Sequence, residues 1–371
     1  MGGPSGLGDA NCGKGPAEVK LNIASSSLID ALSKCVTVAD GKSPMPILGC
    51  VLIDTRGDTT FKASSLSQDI TVRPDSVSID VPGLVAVGAR TLLDRVKAMP
   101  DGELKLSTKD NQLLVSSVAS KRRFAIYSVP GEDFPSFNRT LPVGMSLPKL
   151  DQLIAKTAFA MSGDPTRANV HCLLLESSEG LRCVATDGHR LALAAVDCLE
   201  PFEACLVPSS AVAHIAKMSN PEIGFDKANI YAISGGAIYR TAKVDAAFPP
   251  YRQVIPKRTK FADVHVDAIV EAIGAASKSS DPKTGSVRLQ FEPGVIQIMA
   301  ESAEMGTSFD EVACDHDFTG KISASARYLM DAFKACGEVA RMSIDGELDP
   351  ILITGEEDGI TNTNCVMPMR G

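Results

Sequence analysis

The sequence predicts an α+β protein made of three similar units, each with two short helices packed on antiparallel sheets. Two observations carry this prediction. A short amphipathic helical segment with a lysine near its end recurs six times in the 371 residues, and strand-like segments that alternate apolar and polar residues lie between these helices. Pairing successive half-units gives three copies of roughly 110 to 120 residues, an ordinary domain size.

The helical segments place apolar residues at steps of three and four, as Leu150, Leu153 and Ile154 illustrate. Each helix therefore has one face for a sheet and a second face for another role. The predicted helices are 26–35, 89–99, 147–161, 208–218, 264–278 and 324–336. Their lysines are Lys34, Lys97, Lys156, Lys217, Lys278 and Lys334. A terminal lysine can simply complement the helix dipole, but its presence in all six helices favours one shared surface.

The segments between the helices are typical of strands, and turn signals at 56–58 and 178–180 separate some of them. The clearest predicted strands are 45–54, 113–119, 170–176, 287–291 and 295–300. Breaks near 139–143 and 256–261 divide the chain into three predicted domains, namely 19–141, 142–260 and 261–371. Residues 1–18 are rich in glycine and poor in apolar residues, so we expect a flexible tail.

Composition indicates a soluble, cytoplasmic protein. The chain is 44% hydrophobic, yet it contains no apolar run of the roughly 18 residues that span a bilayer, and no secretory signal. Its ten cysteines form no C-x-x-C pair, and Cys50, Cys172 and Cys183 lie in apolar strands, so we interpret the cysteines as reduced core residues. The net charge of −8 does not exclude nucleic acid, because basic residues can gather on one surface.

Catalytic and cofactor motifs are weak in this sequence. Residues 8–14 match G-x-x-x-x-G-K, but Gly15 replaces the Ser or Thr that would hold magnesium, and no strand precedes the glycines. There is no G-x-S-x-G, no H-E-x-x-H and no zinc-finger spacing. We therefore predict neither a metal site nor a cofactor.

One dense polar cluster, Thr186-Asp187-Gly188-His189-Arg190, follows a predicted strand. Asp187 and His189 could form the acid/base pair of a hydrolase, although no nucleophile or metal-ligand set accompanies them. In the structural alternative, Asp187 and Gly188 make a turn and Arg190 pairs locally. The residues alone leave both interpretations open.

Two strings carry a resemblance to a known family. VATDGHRLALA (184–194) and the terminal VMPMR (366–370) strongly resemble the bacterial DNA polymerase III beta subunits, the DNA sliding clamps. PIL at 46–48, FPSF at 134–137 and FPPYRQVIP at 248–256 add to the match, which runs in order from about residue 19 to residue 370.

The resemblance implies three DNA-clamp domains per chain and a ring-shaped, head-to-tail homodimer with helices lining the hole. A packing estimate agrees that one chain does not suffice. Six helices side by side enclose a circle about 15 to 20 Å across between axes, which the helix bodies nearly fill. Twelve helices leave about 20 to 30 Å of clear space, enough for duplex DNA.

The implied function is topological. A closed ring would retain duplex DNA without reading its sequence and would tether the replicative polymerase, conferring processivity without catalysis. The implied partners are DNA, a clamp loader, the polymerase and repair proteins, the proteins binding through short linear peptides, and the implied location is the cytoplasm at the bacterial nucleoid. A clamp-like scaffold that never encircles DNA is the remaining alternative, beside the hydrolase.

The resemblance also assigns residues. To the six helix lysines it adds as DNA-binding candidates Lys42, Arg90, Arg167, Arg288 and Tyr328. The implied partner-peptide cleft, which in the family binds an extended peptide ending in leucine and phenylalanine, consists of Val170, Thr186, Gly188, His189, Arg190, Leu191, Pro249, Gln253, Val254, Pro350, Met367, Pro368, Met369 and Arg370.

Met367 and Met369 flank a rigid proline, and their flexible thioethers would make an adaptable apolar wall for many partners. The alternative is that these methionines belong to a last core strand, of which only one face can be core. Gln253 stands where the family commonly has arginine, and Gly371 stands where a larger residue is common, so both positions bear on peptide affinity.

Overall fold

The computed structural model of the chain describes residues 18–135, 141–198 and 201–370. The predicted tail 1–18, except Glu18, and the glycine string 8–14 lie outside these residues, as do parts of the FPSF string and of the break near 139–143. The chain forms two units, one of residues 1–143 with 231–241 and the other of residues 144–230 with 242–371. The predicted domain boundaries at 141/142 and 260/261 stay predictions.

The described residues contain six α-helices, one at each predicted place. They are α1 (Ser25–Val36), α2 (Ala89–Lys97), α3 (Leu150–Ala155), α4 (Ser209–Ile215), α5 (Val266–Ala276) and α6 (Ala326–Lys334). The extent predicted for the third helix, 147–161, is wrong. Lys149 has a left-handed backbone just before α3, and the Thr157 hydroxyl donates to the carbonyl of Leu153 (2.7 Å) where the helix stops. A separate 3-10 turn, Ala158–Ala160, follows.

Strands account for most of the remaining chain. The first nine are β1 (Lys20–Ala24), β2 (Cys50–Asp54), β3 (Thr60–Ser64), β4 (Gln68–Val72), β5 (Val77–Val81), β6 (Leu84–Gly88), β7 (Glu103–Lys109), β8 (Gln112–Ser117) and β9 (Arg123–Pro130). The next eight are β10 (Met145–Ser146), β11 (Cys172–Glu176), β12 (Leu181–Thr186), β13 (Arg190–Val196), β14 (Cys205–Pro208), β15 (Glu222–Phe225), β16 (Asn229–Ser234) and β17 (Ala237–Ala242). The last eight are β18 (Ala262–His265), β19 (Ser286–Glu292), β20 (Val295–Ser302), β21 (Gly306–Ala313), β22 (Gly320–Ser325), β23 (Val339–Ser343), β24 (Ile351–Glu357) and β25 (Ile360–Val366).

The strand predicted at 45–54 is correct only in its second half. Pro46–Gly49 forms a 3-10 turn before β2, with Pro46 at its first position. Proline suits the first turn of a helix because its φ is already helical and its missing N–H would have no partner there.

In the first unit, strands lie in the order β16-β17-β4-β3-β2-β6-β9-β8-β7-β1-β5. The helices α1 and α2 bury their apolar stripes, including Leu28, Leu32 and Leu92. Arg240 on β17 and Asp69 on β4 form an ion pair that is buried in this sheet. The attraction between the two charges offsets the free-energy cost of removing both of them from water.

The second unit contains an eight-stranded sheet, β14-β11-β12-β13-β25-β24-β23-β18, and a four-stranded sheet, β21-β20-β19-β22. The apolar stripes of α5 and α6, with Ile273 and Phe333, share one buried cluster with Leu289 of the small sheet and Ile353 of the large one. No helix in the described ranges is long and apolar enough to cross a bilayer.

The nine cysteines of the described residues are free thiols. Six of them are buried, but Cys50, Cys198 and Cys314 are half-buried, so the prediction of core positions is wrong for these three. Cys35, Cys183 and Cys336 are fully buried. Burial raises the pKa of the Cys336 thiol to about 12, so this sulfur stays protonated and unreactive at neutral pH.

Gly355 provides a test of the packing between β24 and the segment that follows α6. A Cβ at this position would lie 2.4 Å from the carbonyl oxygen of Cys336, whereas a Cβ at Gly57 would meet nothing within 4 Å. We expect Gly355→Ala to destabilise the second unit by about 1 to 3 kcal/mol and Gly57→Ala to change stability by less than about 0.5 kcal/mol. Hydrogen exchange of the β24 and β25 amides measures the difference, and equal protection in both variants would contradict this packing.

Candidate peptide cleft and nucleic-acid interface

Two distant strings meet because β13 pairs with β25. Arg190, the first residue of β13, lies opposite Val366, the last residue of β25. Just beyond this pair, the backbone N–H of Met367 donates to the carbonyl of His189 (2.9 Å). The sheet therefore holds the turn 186–190 and the chain end 366–370 side by side, although about 175 residues separate them in sequence.

The polar cluster 186–190 is a hydrogen-bonded turn. One carboxylate oxygen of Asp187 accepts from the backbone N–H groups of His189 (2.9 Å) and Arg190 (3.1 Å). The Thr186 hydroxyl donates to the carbonyl of Arg190 (2.6 Å) and accepts from the N–H of Gly188 (3.1 Å). Gly188 has φ +91°, a conformation that glycine adopts without strain. The structural alternative is therefore what the chain adopts, with the Asp187 carboxylate directed at backbone N–H groups.

The Arg190 guanidinium is only 5% exposed, and it is fully partnered. Its Nε donates to Asp187 (3.1 Å), its Nη1 to Asp331 on α6 (2.6 Å) and its Nη2 to the carbonyl of Phe159 (2.5 Å). The ring of Tyr328 lies 4.3 Å from the guanidinium carbon, in range for a cation–π interaction. These contacts fix the Arg190 side chain at the turn 186–190, and its positive charge is compensated by two carboxylates.

Asp331 and Phe159 were not predicted as site residues. Asp331 lies 141 positions from Arg190, and no local pattern signals so distant a partner. Its position three residues after Tyr328, on the same helical face, is the only hint in the sequence. Tyr328 contacts Arg190, and its predicted DNA contact stays a prediction.

The FPPYR string, which carries three of the predicted cleft residues or their neighbours, is anchored by Tyr251. Tyr251 is buried in one cluster with Leu191, Leu352 and Cys365, and its hydroxyl donates to Glu176 (2.6 Å). Burial, with the hydrogen bond to this carboxylate, raises the pKa of Tyr251 to about 12. The anchored 3-10 turn, Tyr251–Gln253, leaves its neighbours at the surface. Pro249 is half-buried, and Gln253 and Val254 are exposed.

The remaining cleft candidates differ in exposure. Val170 is buried, and its carbonyl accepts from the N–H of Ser162 (2.9 Å). Pro350 is half-buried, and its carbonyl accepts from Arg258 (3.2 Å). His189 is exposed beside Met367. Val170 and Pro350 thus have hydrogen-bonded carbonyl groups, whereas His189 has an accessible side chain.

The terminal methionines lie beyond the last strand. β25 ends at Val366, Met367 is 38% exposed and Pro368 and Met369 are half-buried. The interpretation of Met367 and Met369 as part of a last core strand is therefore wrong. The N–H of Met369 donates to the carbonyl of Ser323 on β22 (2.7 Å), which fixes the path of the chain while the thioethers stay accessible.

The DNA candidates of the first unit are exposed or half-exposed cations. Lys34, in the last turn of α1, pairs with Asp30 one turn earlier (2.7 Å), and Lys97 is the exposed last residue of α2. Arg90 lies 3.7 Å from Asp94, and Lys42 is exposed in a loop. Surface pairs of this kind contribute little to stability, so these side chains remain available to phosphates.

In the second unit, Lys217, Lys278 and Lys334 are exposed at or just beyond helix ends. Their predicted place on one shared cationic surface stays a prediction. Lys156 differs. It follows the shortened α3, its side chain is 12% exposed, and it binds Glu357 (2.7 Å) and the carbonyl of Ala335 (2.8 Å). Its ammonium joins two segments of the unit, and this geometry argues against a DNA contact.

Two arginines that were predicted to bind DNA, Arg167 and Arg288, differ from the helix-end lysines in their contacts and position. Arg167 is exposed, but its Nη1 donates to the carbonyl of Asp187 (2.9 Å) and so supports the turn 186–190. Arg288 lies on β19 between Val287 and Leu289, whose side chains are buried with α5 and α6. Because side chains alternate along a strand, Arg288 stands on the opposite face from those helices. It does not share a surface with Lys278 and Lys334.

Metal chemistry finds no support in the described ranges, where no group of three or more His, Cys, Asp or Glu side chains could hold an ion.

Comparison with known proteins gives a consistent result. The chain matches the DNA polymerase III beta subunit N-terminal domain over residues 19–138, the central domain over 145–250 and the C-terminal domain over 252–370. It is 31% identical over 344 residues to the beta sliding clamp of Caulobacter vibrioides strain NA1000, covering 87% of this chain and 91% of that protein. It is 28% identical over 372 residues to the beta sliding clamp of Escherichia coli K12, covering 95% and 100%.

Solved structures agree. A Pseudomonas aeruginosa sliding clamp bound to griselimycin superposes with a TM-score of 0.87 at 26% identity, covering 96% of this chain and 100% of that one. A Caulobacter crescentus beta sliding clamp superposes with a TM-score of 0.88 at 30% identity, covering 95% and 100%. The chain belongs to the DNA polymerase III beta subunit family, the beta sliding clamps.

Proposed function

We propose that this protein is a DNA sliding clamp that encircles duplex DNA and tethers the replicative polymerase and other DNA-processing proteins, without catalysis of its own. The observation that carries the proposal is the match to all three domains of the family, in order, over residues 19–370. The predicted domains 19–141, 142–260 and 261–371 follow that order. The proposed place of action is the bacterial cytoplasm, at the nucleoid.

The exposed helix-end lysines support the DNA part of the proposal. Lys97, Lys217, Lys278 and Lys334 lie at or just beyond the ends of α2, α4, α5 and α6, which belong to four of the six half-units. A lysine ammonium attracts phosphate without specifying a base, so contacts of this kind hold DNA and permit sliding. With two chains supplying twelve helices, the opening would be about 20 to 30 Å wide.

Open strand edges support a head-to-tail homodimer. Within the described residues, β21 is the last strand of its sheet, and residues 123–127 of β9 pair only with β8. β21 exposes Glu311, whereas β9 exposes Arg123 and an 83% accessible Tyr127. Strand edges without a neighbouring strand present backbone N–H and C=O groups that can pair with a strand of another chain. We propose the antiparallel register of β9 from one copy and β21 of a second in which Arg123 lies opposite Glu311, because these two charges are complementary.

The cleft supports docking of partner peptides. Its floor is fixed by Arg190, and its rim carries the accessible side chains of His189, Val254, Met367 and Met369. A rigid floor with thioether walls suits an extended apolar peptide and tolerates variation among partners. We assign the clamp loader, polymerase and repair proteins to this cleft.

Topological retention is the most specific consequence of the proposal. After loading onto a nicked circular plasmid by a bacterial clamp loader, the protein should co-elute with the DNA in gel filtration at high salt. Linearising the plasmid with one restriction cut should release it, because a ring slides off a free end. Release from circles and linear DNA alike would favour the scaffold that never encircles DNA.

Met369→Ala tests the cleft. We expect this change to weaken binding of a fluorescent five-residue peptide ending in Leu-Phe by about tenfold, equivalent to about 1.4 kcal/mol. Met305→Ala is the matched control, since Met305 is exposed on a turn away from the cleft. Fluorescence anisotropy gives both dissociation constants, and equal affinities would exclude this cleft.

A charge exchange tests the homodimer. The wild-type mass by light scattering should be twice the 39.1 kDa of the chain. Glu311→Lys and Arg123→Glu should each shift the equilibrium toward monomer, and the double variant should restore the dimer because the opposed charges are again complementary. Failure of the double variant to recover, with both singles monomeric, would argue against this pairing.

A further inference from the structure

The small sheet of the second unit carries a row of side chains on its face away from the helices. Ser323 on β22 lies opposite Arg288 on β19, Arg288 lies opposite Met299 on β20, and Met299 lies opposite Phe309 on β21. Directly opposed residues project from the same face of a sheet. The row therefore crosses all four strands and runs from a hydroxyl through a cation to an apolar end.

This row lines an open groove of about 590 Å³, to which Arg370 and Glu301 also contribute. Arg288 and Arg370 are exposed, and within the described residues neither guanidinium has a carboxylate within 4.0 Å. Two unpaired arginines beside one carboxylate give the groove a net positive charge. The protein as a whole has a net charge of −8, so this cationic groove is a local departure from the surrounding surface.

The groove is continuous with the proposed cleft. Arg370 follows Met369, whose N–H is bonded to Ser323, the first residue of the row. The chain end 367–370 therefore lies between the proposed cleft and the groove. The side chains of Met367 and Met369 belong to the cleft, and that of Arg370 lines the groove. A peptide that occupied the cleft and continued past the chain end would enter the groove.

We propose that this groove binds an acidic segment that flanks the docked peptide in a partner protein, with carboxylates paired to Arg288 and Arg370 and an apolar side chain on Met299 and Phe309. The inference rests on the proposed function of the cleft and extends it. Guanidinium groups bind carboxylates in a bidentate manner, and the apolar end of the row sets the register of the segment. The affinity of each partner would then depend on its flanking sequence as well as on its short peptide.

Anisotropy with matched peptides tests the groove. The probes are the five-residue peptide ending in Leu-Phe and versions of it extended at either end by Leu-Asp-Asp-Glu or by the neutral Leu-Asn-Asn-Gln. At low ionic strength the acidic extension at one end should improve affinity about three- to tenfold over its neutral twin. Arg288→Gln should abolish this gain and leave the affinity for the five-residue peptide unchanged, whereas Lys257→Gln, at an exposed position of the same unit, should retain the gain.

The outcomes separate the two proposals. Binding of the five-residue peptide without any gain from either acidic extension overturns the groove and leaves the cleft intact. Failure of every peptide to bind overturns both. If Arg288→Gln instead weakens binding of a short DNA duplex and leaves the acidic gain in place, the groove is a phosphate contact and the inference is wrong.

Discussion

Each helix of this protein has a single apolar stripe, and burying that stripe against a sheet fixes where its charged end stands. In α6, Leu329 and Phe333 are buried, and Lys334, the next residue, is therefore held at the surface. Because the arrangement is repeated, other helices also end in an exposed lysine that lies outside the buried core, as Lys97 does at the end of α2. Where the helix is cut short, as at α3, the lysine is diverted into an ion pair with Glu357. Placement of charge is thus a consequence of apolar packing.

The cleft combines a rigid part with an adaptable part. Arg190 is buried, and two carboxylates, a carbonyl and an aromatic ring satisfy it, which offsets its desolvation and orders the turn around it. The thioethers of Met367 and Met369 have no such constraint beyond the backbone bond to Ser323. Because Asp331 and Tyr328 lie on α6, the same network joins the cleft to the helix that ends in Lys334. α6 thus contributes Asp331 and Tyr328 to the network of Arg190 and Lys334 to the proposed cationic surface.

Periodicity was sufficient to predict the six helices and many strands, since each depends on a local apolar pattern. It failed where one side chain decided the local backbone, as at Pro46 and Thr157. The strings 184–194 and 366–370, on which the proposed cleft is based, are brought together by β13–β25 pairing. The ion pairs of Asp331 and Lys156 and the face on which Arg288 lies could not be predicted, because a partner more than a hundred residues away, or the face of a strand, depends on the tertiary fold.

The central claim is that cationic helix ends from two copies surround one opening wide enough for a double helix. Electron cryomicroscopy of the assembly tests it most directly. The account predicts an annulus of two chains, with twelve helices around an opening about 20 to 30 Å wide and with Lys97, Lys217 and Lys334 facing inward. A particle without an opening, or one with these lysines on its outer rim, would contradict the account.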